Sequence, residues 1–188
     1  FPPNDAGAAR IATYYADHRG VSIAFAALFP IGALGLTTFL GALLQRIGHG
    51  EHRAAAVAGA FGATGVIATY TMLVASDLGL AGYVHRGHAS LDVVSGMWVF
   101  HNAVFGVLMT SIGVALAGLS AASAANGLMP GWWKALGLVG ALLLLVAAAT
   151  APFIIDGSPT MIIGLVGFLV WVAFVAAGSI TLLRQAEG

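Results

Sequence analysis

Most of the residues that could do chemistry in this sequence lie in one stretch, GYVHRGHASLDVVSGMWVFHNAVFG (82–106). Its most informative member is His101, the only histidine or charged side chain far from both ends of a long apolar stretch. A titratable side chain at membrane depth costs roughly 3 kcal/mol and is kept for a partner or a task. The imidazole therefore predicts a haem or metal ligand, a proton relay, or a hydrogen-bond donor to a quinone or lipid head group. The structural alternative is a neutral ring bonded to a backbone carbonyl or to Tyr70.

A second group of candidate ligands precedes His101. His85, His88 and Asp92 are spaced i, i+3, i+7 and share one face if this segment is helical. Imidazole and carboxylate side chains suit zinc or another borderline cation, and three of them with water would make a catalytic zinc site. Short loops that carry histidine and arginine are also common at head-group level, so a solvated loop is the favoured interpretation.

The neighbours of His101 on a helix form two rows. Asp92, Ser95, Asn102, Gly106 and Gly113 give a small and polar row, which lets another helix approach closely. The adjacent row is apolar and aromatic, and it surrounds the imidazole. Asp77, near the end of the preceding apolar stretch, is interpreted first as an interfacial carboxylate; the functional alternatives are a bond to His85, Arg86 or Arg19, or a proton path with His101. The candidate ligand-binding residues are His101, His85, His88, Asp92, Asp77 and Asn102, and the candidate pocket-lining residues are Trp98, Met97, Phe105 and Tyr70.

The elements that must position these residues follow from composition. Only 7% of the residues are charged and 60% are apolar, whereas an ordinary soluble domain has about 25% charged residues. A membrane-spanning helix needs about 20 mostly apolar residues, and lipid offers no partner to an unpaired backbone. Five stretches meet that length, at 21–47, 54–83, 92–121, 132–155 and 160–184. We therefore predict an all-α integral membrane protein, with a short interfacial helix in residues 1–20 and a single five-helix transmembrane domain in residues 21–184.

Several classes of function are disfavoured. The chain has no cysteine, which excludes disulfides and thiolate metal sites, and its zero net charge argues against nucleic-acid binding. No nucleophile elbow, zinc-protease helix, P-loop or dinucleotide fingerprint occurs. A two-haem respiratory anchor would need four histidines within its spans, but a single haem between His101 and His85 or His88 stays open. Haem and a divalent metal are thus the cofactors left for consideration.

The basic residues near the ends of the spans give the expected orientation. Loops one and three and the C-terminus carry Arg46, Arg53, Lys134 and Arg184. The opposite side carries Arg10, Arg19 and Arg86. The positive-inside rule then places the C-terminus in the cytoplasm and the N-terminus outside a cell membrane. The lipid bilayer is the expected environment, and other membrane subunits or a second copy of the chain are the expected partners.

Two stretches resemble a known group of sequences. ARIATYYADHRG (9–20) and LMPGWWKALGLVGALLLL (128–145) are similar to uncharacterised actinobacterial polytopic membrane proteins with a domain of unknown function. In those proteins a lead-in of the type IAxYYADHRG precedes the first span, and a later helix opens with LPxW. The resemblance implies a small polytopic bundle, and it supplies no activity and no catalytic residues.

Two classes of function remain in view. The first, which we favour, is a binding or accessory subunit whose polar pocket around His101 holds a lipid, a quinone, haem or a partner helix. The alternative is a membrane-embedded enzyme that uses His85, His88, Asp92 and His101 around a metal or as acid and base. A transporter ranks third, because five spans divide poorly into inverted repeats.

Overall fold

The computed structural model describes residues 1–47, 52–87, 89–156, 158 and 160–186, and every regular element in these ranges is an α-helix. The helices are α1 (Ala8–Asp17), α2 (Arg19–Ile47), α3 (Arg53–His85), α4 (Leu91–Ala125), α5 (Trp132–Ala149), α6 (Ala151–Ile155) and α7 (Met161–Ala186). Five of them, α2, α3, α4, α5 and α7, are long and apolar enough to cross a membrane. The predicted all-α, five-helix membrane bundle is confirmed.

The two ends of the bundle differ in what they carry. At one end, which we call the α1 end, Tyr15 of α1 contacts Asp77 near the C-terminus of α3, and Asp77 contacts His101 in the first third of α4. At the other end, Arg46 of α2 donates to Gln185 of α7 at 3.4 Å. The polar side chains singled out from the sequence thus belong to the α1 end.

The fourth apolar stretch, 132–155, does not form one continuous helix. It is interrupted at Thr150, which separates the 18 residues of α5 from the short α6. Pro152 has no backbone N–H to continue a helical hydrogen-bond ladder. The Thr150 hydroxyl donates to the carbonyls of Val146 at 3.0 Å and Ala147 at 3.1 Å, which satisfies the last turn of α5. The break brings α6 over the α1 end.

Helix α4 lies at the centre of the bundle and crosses α3 at very short range. The crossing is made by glycine on both helices: a Cβ added to Gly118 would lie 2.7 Å from the Cα atom of Gly59, and one added to Gly59 would lie 2.7 Å from the Leu119 nitrogen. Small residues allow such close backbone contact between membrane helices. This crossing fixes the relative position of Asp77 on α3 and His101 on α4.

Helix α2 packs on the bundle mainly through its C-terminal half. Phe39, Leu40, Leu43 and Ile47 are buried there, and Phe39 makes an edge contact with Phe174 of α7, with ring centroids 6.3 Å apart. The half before Pro30 buries only Ser22. An open groove therefore separates the N-terminal half of α2 from the rest of the bundle.

A second, smaller core holds α1 against the bundle. Ile11 and Tyr15 of α1 are almost completely buried, and they pack with side chains of α3 and α4. The buried members of this core are Ile11, Tyr15, Leu80, Ala81, Val94 and Trp98. This packing places the Tyr15 hydroxyl beside α3 and away from water.

Candidate functional site

A connected chain of polar side chains lies at the α1 end. The Tyr15 hydroxyl donates to Oδ1 of Asp77 at 2.5 Å, and the same carboxylate oxygen lies 3.4 Å from Nδ1 of His101. Nδ1 also lies 3.0 Å from Oγ of Ser76. Ser76 and Asp77 are both buried. Three helices, α1, α3 and α4, therefore contribute to one hydrogen-bonded group.

Two aromatic rings pack against the imidazole of His101. The Trp98 ring stacks on it with centroids 5.0 Å apart and planes 8° apart, and the Phe1 ring lies at 6.1 Å. Only 12% of the His101 side chain is exposed. His101 is ten residues from the start of α4, about 15 Å along a helix of about 52 Å. His101 thus lies in the half of α4 that belongs to the α1 end, about 11 Å from the midpoint of the helix.

Asn4 ties the segment before α1 to the site. Its backbone carbonyl accepts hydrogen bonds from Nε1 of Trp98 at 3.1 Å and from Nδ2 of Asn102 at 3.3 Å. Its side-chain amide donates to the carbonyl of Ile154 in α6 at 3.2 Å. These bonds give the buried Trp98 and Asn102 their partners. The segment around Asn4 thereby forms one wall of the site.

The phenol of Tyr15 is kept in its protonated form. Burial raises the pKa of Tyr15 far above its ordinary value, and the adjacent Asp77 carboxylate raises this pKa further. Both effects disfavour a phenolate, because its charge would lie in an apolar core and beside another negative group. Tyr15 is therefore a lasting hydrogen-bond donor to Asp77.

Ser76, His101 and Asp77 do not form a hydrolytic triad, although the residue types are right. In such a triad the serine and the carboxylate contact opposite nitrogens of the imidazole. Here both contact Nδ1. The Ser76 hydroxyl also donates to the carbonyl of Leu73 at 2.7 Å, one turn earlier in its own helix. The arrangement positions the imidazole and does not activate a nucleophile.

A cavity of about 590 Å³, which we call the polar cavity, opens beside this group. Its lining includes Asp77, His101, Trp98, Asn102, Phe105 and Tyr70, together with residues of the segment before α1. A second cavity of about 690 Å³, the apolar groove, lies between α2, α3 and α7. The two share Phe25 and Tyr70 as wall residues. A polar volume and an apolar volume therefore adjoin at these two rings.

The structure brings together some of the candidate residues and separates others. Asp77, His101, Asn102, Trp98, Phe105 and Tyr70 all line the polar cavity. His85, at the end of α3, and Asp92, in the first turn of α4, are both exposed. Met97 packs beside Gly79. None of these three lines the polar cavity. His88 lies outside the described residues.

The structure distinguishes between the alternative partners that the sequence offered for Asp77 and Tyr70. Asp77 pairs with His101, which was one of the expected arrangements, and with Tyr15, which was not expected. Tyr70 does not bond His101 among the described residues; its ring stacks on Phe29 with centroids 6.1 Å apart. Within the described ranges, no three histidine or acidic side chains lie close enough together to hold a metal ion. The zinc arrangement of His85, His88 and Asp92 stays a prediction.

Sequence reasoning missed Tyr15, Ser76 and Asn4 as parts of the site. Tyr15 was placed on an interfacial helix, and the helical spacing of Ile11 and Tyr15 was the signal that α1 has a buried face. Ser76 adjoins Asp77 in the sequence, which is a weak signal. Asn4 acts through its backbone carbonyl, for which the sequence carries no signal.

No protein-family model, curated protein sequence or solved structure matches this chain. The resemblance to actinobacterial membrane proteins therefore stays a prediction.

Proposed function

We propose that this polytopic membrane protein is a binding protein for a neutral lipid of the quinone class. In this proposal the ring of the lipid occupies the polar cavity and the tail occupies the apolar groove. The observation that carries the proposal is the shared wall of Phe25 and Tyr70, because it joins a hydrogen-bonding volume to an apolar one. An amphipathic ligand with one compact head and one tail is likewise divided into a hydrogen-bonding part and an apolar part.

The lining of the polar cavity favours a flat ring. The indole of Trp98 and the rings of Phe105, Tyr70 and Phe25 contribute to its wall, and aromatic side chains pack well against aromatic ligands. A volume of about 590 Å³ lies within the usual range for a small-molecule site. The polar side chains of the lining include Asp77, which contacts His101, and the adjacent Asn102. Such a lining would orient a ring that has a polar group on its edge.

The charges at the cavity favour a neutral head group over an anionic one. Asp5 and Asp77 both line the polar cavity, and no lysine or arginine is among its described wall residues. Like charges repel more strongly at low dielectric. A phospholipid phosphate or the propionates of haem would therefore meet acidic side chains, with no lysine or arginine of the described wall to pair with. A quinone-class lipid has an uncharged ring and avoids this repulsion, so it fits the cavity better than either.

A second candidate function is an acid–base enzyme in the membrane. The contact of Asp77 with His101 favours it, since a carboxylate that orients an imidazole is a common arrangement for a general base. Conversion of a bound lipid by the purified protein would distinguish catalysis from binding. Mass spectrometry before and after incubation measures this, and an unchanged lipid argues for binding alone.

The proposed binding is tested with variants that fill the groove. Gly35 of α2 lines the apolar groove and Gly41 of the same helix does not; a Cβ on either would meet no atom within 4 Å. We expect Gly35→Leu to weaken binding of decylubiquinone about tenfold or more, because the leucine occupies the space for the tail. Gly41→Leu is the matched control and should bind as the wild type does. Isothermal titration calorimetry in mild detergent measures both.

Three outcomes would count against the proposal. They are the absence of decylubiquinone binding to the wild type, equal effects of the two leucine variants, and a haem absorption band in the purified protein. Extraction of the purified protein with organic solvent, followed by mass spectrometry, gives an independent measurement. A quinone-class lipid should be recovered in near-stoichiometric amount from the wild type and in smaller amount from Gly35→Leu.

We further propose that the α1 end faces the outside of a cell membrane. The support is the excess of basic residues at the opposite end, where Arg46, Arg53, Lys134 and Arg184 lie near the ends of helices. The chain has no cysteine, so a single introduced cysteine reports its own location. A membrane-impermeant maleimide should label Asp17→Cys but not Arg184→Cys in intact cells, and the reverse pattern would invert the orientation.

A further inference from the structure

Building on the proposed quinone-class ligand, we propose that the polar cavity selects the reduced, hydroxyl-bearing form of the ring over the oxidised, carbonyl-bearing form. The selecting atom is Nε2 of His101, acting as a hydrogen-bond acceptor. The hydrogen atoms of Ser76, Tyr15 and His101 determine whether this nitrogen donates or accepts.

The hydroxyl of Ser76 has one hydrogen atom and two neighbours that could accept it. The Leu73 carbonyl lies 2.7 Å away, and Nδ1 of His101 lies 3.0 Å away. A serine in a helix commonly donates to a carbonyl three or four residues earlier. With its hydrogen used in this way, Oγ presents a lone pair to Nδ1. The imidazole therefore carries its hydrogen on Nδ1.

Asp77 gives an independent argument for the same assignment. Its Oδ1 lies 3.4 Å from Nδ1 and already accepts the hydrogen of the Tyr15 hydroxyl. An Nδ1 without hydrogen would direct a lone pair at this carboxylate oxygen. The distance also exceeds the 2.7–2.9 Å that is typical of a bond between a charged donor and a carboxylate. The geometry is thus that of a neutral imidazole with hydrogen on Nδ1.

A neutral imidazole with hydrogen on Nδ1 has a lone pair on Nε2. Nε2 makes no hydrogen bond in the described part of the chain, and it is not a fully enclosed atom there. The ring itself lines the polar cavity. A ligand hydroxyl can donate to Nε2, whereas a ligand carbonyl would face it with a second lone pair. A polar group left without a partner in a buried site weakens binding.

The test compares two redox forms of one ligand on the unaltered protein. Decylubiquinone and its reduced form, decylubiquinol, are titrated separately under nitrogen by calorimetry. We expect the reduced form to bind about tenfold more tightly. Equal affinities, or tighter binding of the oxidised form, would overturn this inference and leave the proposed function standing. Absence of binding by both forms would remove the proposed function as well.

A variant checks that the preference comes from the imidazole. The side-chain amide of His101→Gln can donate or accept, so the ratio of the two affinities should fall to about one. The hydrogen position is measured without any ligand by ¹⁵N NMR of histidine-labelled protein, where the resonances missing from His101→Gln identify His101. An unprotonated Nε2 and a protonated Nδ1 are expected; any other pattern of protonation on this ring refutes the assignment.

Discussion

Tyr15→Phe tests whether α1 is fixed by a single buried hydrogen bond. The substitution removes the hydroxyl that donates to Asp77 and keeps the ring that packs in the small core. A hydrogen bond to a charged acceptor contributes about 1.5–3 kcal/mol. For a chain of this size each kcal/mol changes the melting temperature by about 2–4 °C. We therefore expect Tyr15→Phe to lower the melting temperature by about 3–12 °C.

Tyr14→Phe is a matched control for this prediction. Tyr14 is the adjacent residue, its ring stacks on His18 with centroids 4.3 Å apart, and its hydroxyl has no hydrogen-bond partner in the described ranges. The same chemical change there should cost less than about 0.5 kcal/mol. Differential scanning fluorimetry of intrinsic tryptophan emission in detergent measures both variants, and Trp98 lies 6.3 Å from the Tyr15 ring.

A double-mutant cycle assigns the loss to the pair. On an Asp77→Asn background the acceptor is uncharged, so Tyr15→Phe should then cost only about 0.5–1.5 kcal/mol. Equal melting temperatures of Tyr15→Phe and Tyr14→Phe would show that the hydrogen bond to Asp77 does not stabilise the fold. An equal cost of Tyr15→Phe on both backgrounds would show that the negative charge of the carboxylate contributes nothing to the bond.

Two further predictions concern stability. Folding raises the pKa of Tyr15, so the contribution of this phenol to stability is complete below about pH 10. As the pH rises further, the contribution is lost by about 1.4 kcal/mol per pH unit. The melting temperature should therefore fall between pH 8 and pH 11, and the fall should be smaller in Tyr15→Phe. Gly118→Ala would place a Cβ 2.7 Å from the Cα atom of Gly59, so it should cost about 1–3 kcal/mol. Gly96→Ala is the control on the same helix, because its added Cβ would meet no atom within 4 Å; it should leave the melting temperature unchanged or slightly raised. Equal losses of stability in the two variants would contradict the close α3–α4 crossing.

Composition and hydrophobic pattern were sufficient to predict the five spanning helices, because a lipid environment leaves helices as the main solution for an apolar chain. The break at Thr150 was not predicted. In the sequence, residues 132–155 form one apolar stretch with Pro152 near its end. A proline near one end of a span is also compatible with a helix that starts or bends there. The break lies two residues before Pro152, whose missing backbone N–H ends the helical hydrogen-bond ladder.

The site could be predicted only in part. His101 and Trp98 lie one turn apart on α4, so local helical geometry was enough to place them together. The bond between Tyr15 and Asp77 joins residues 62 positions apart, and it depends on α1 folding back against α3 and α4. The placement of Ser76 at Nδ1 likewise depends on the rotation of α3 relative to α4, which is set by the glycine crossing at the other half of these helices.

The weak packing of the N-terminal half of α2 makes the surrounding bilayer a structural component of the apolar groove. Val21, Phe25 and Leu28 are exposed on the protein, so the lipid acyl chains that contact them help to set how far this half of α2 stands from α3 and α7. Membrane thickness and acyl-chain order would act on the groove through the same contacts. An affinity measured in a detergent micelle and one measured in a bilayer nanodisc would then describe grooves of different width, and the difference between them would report the contribution of the membrane itself.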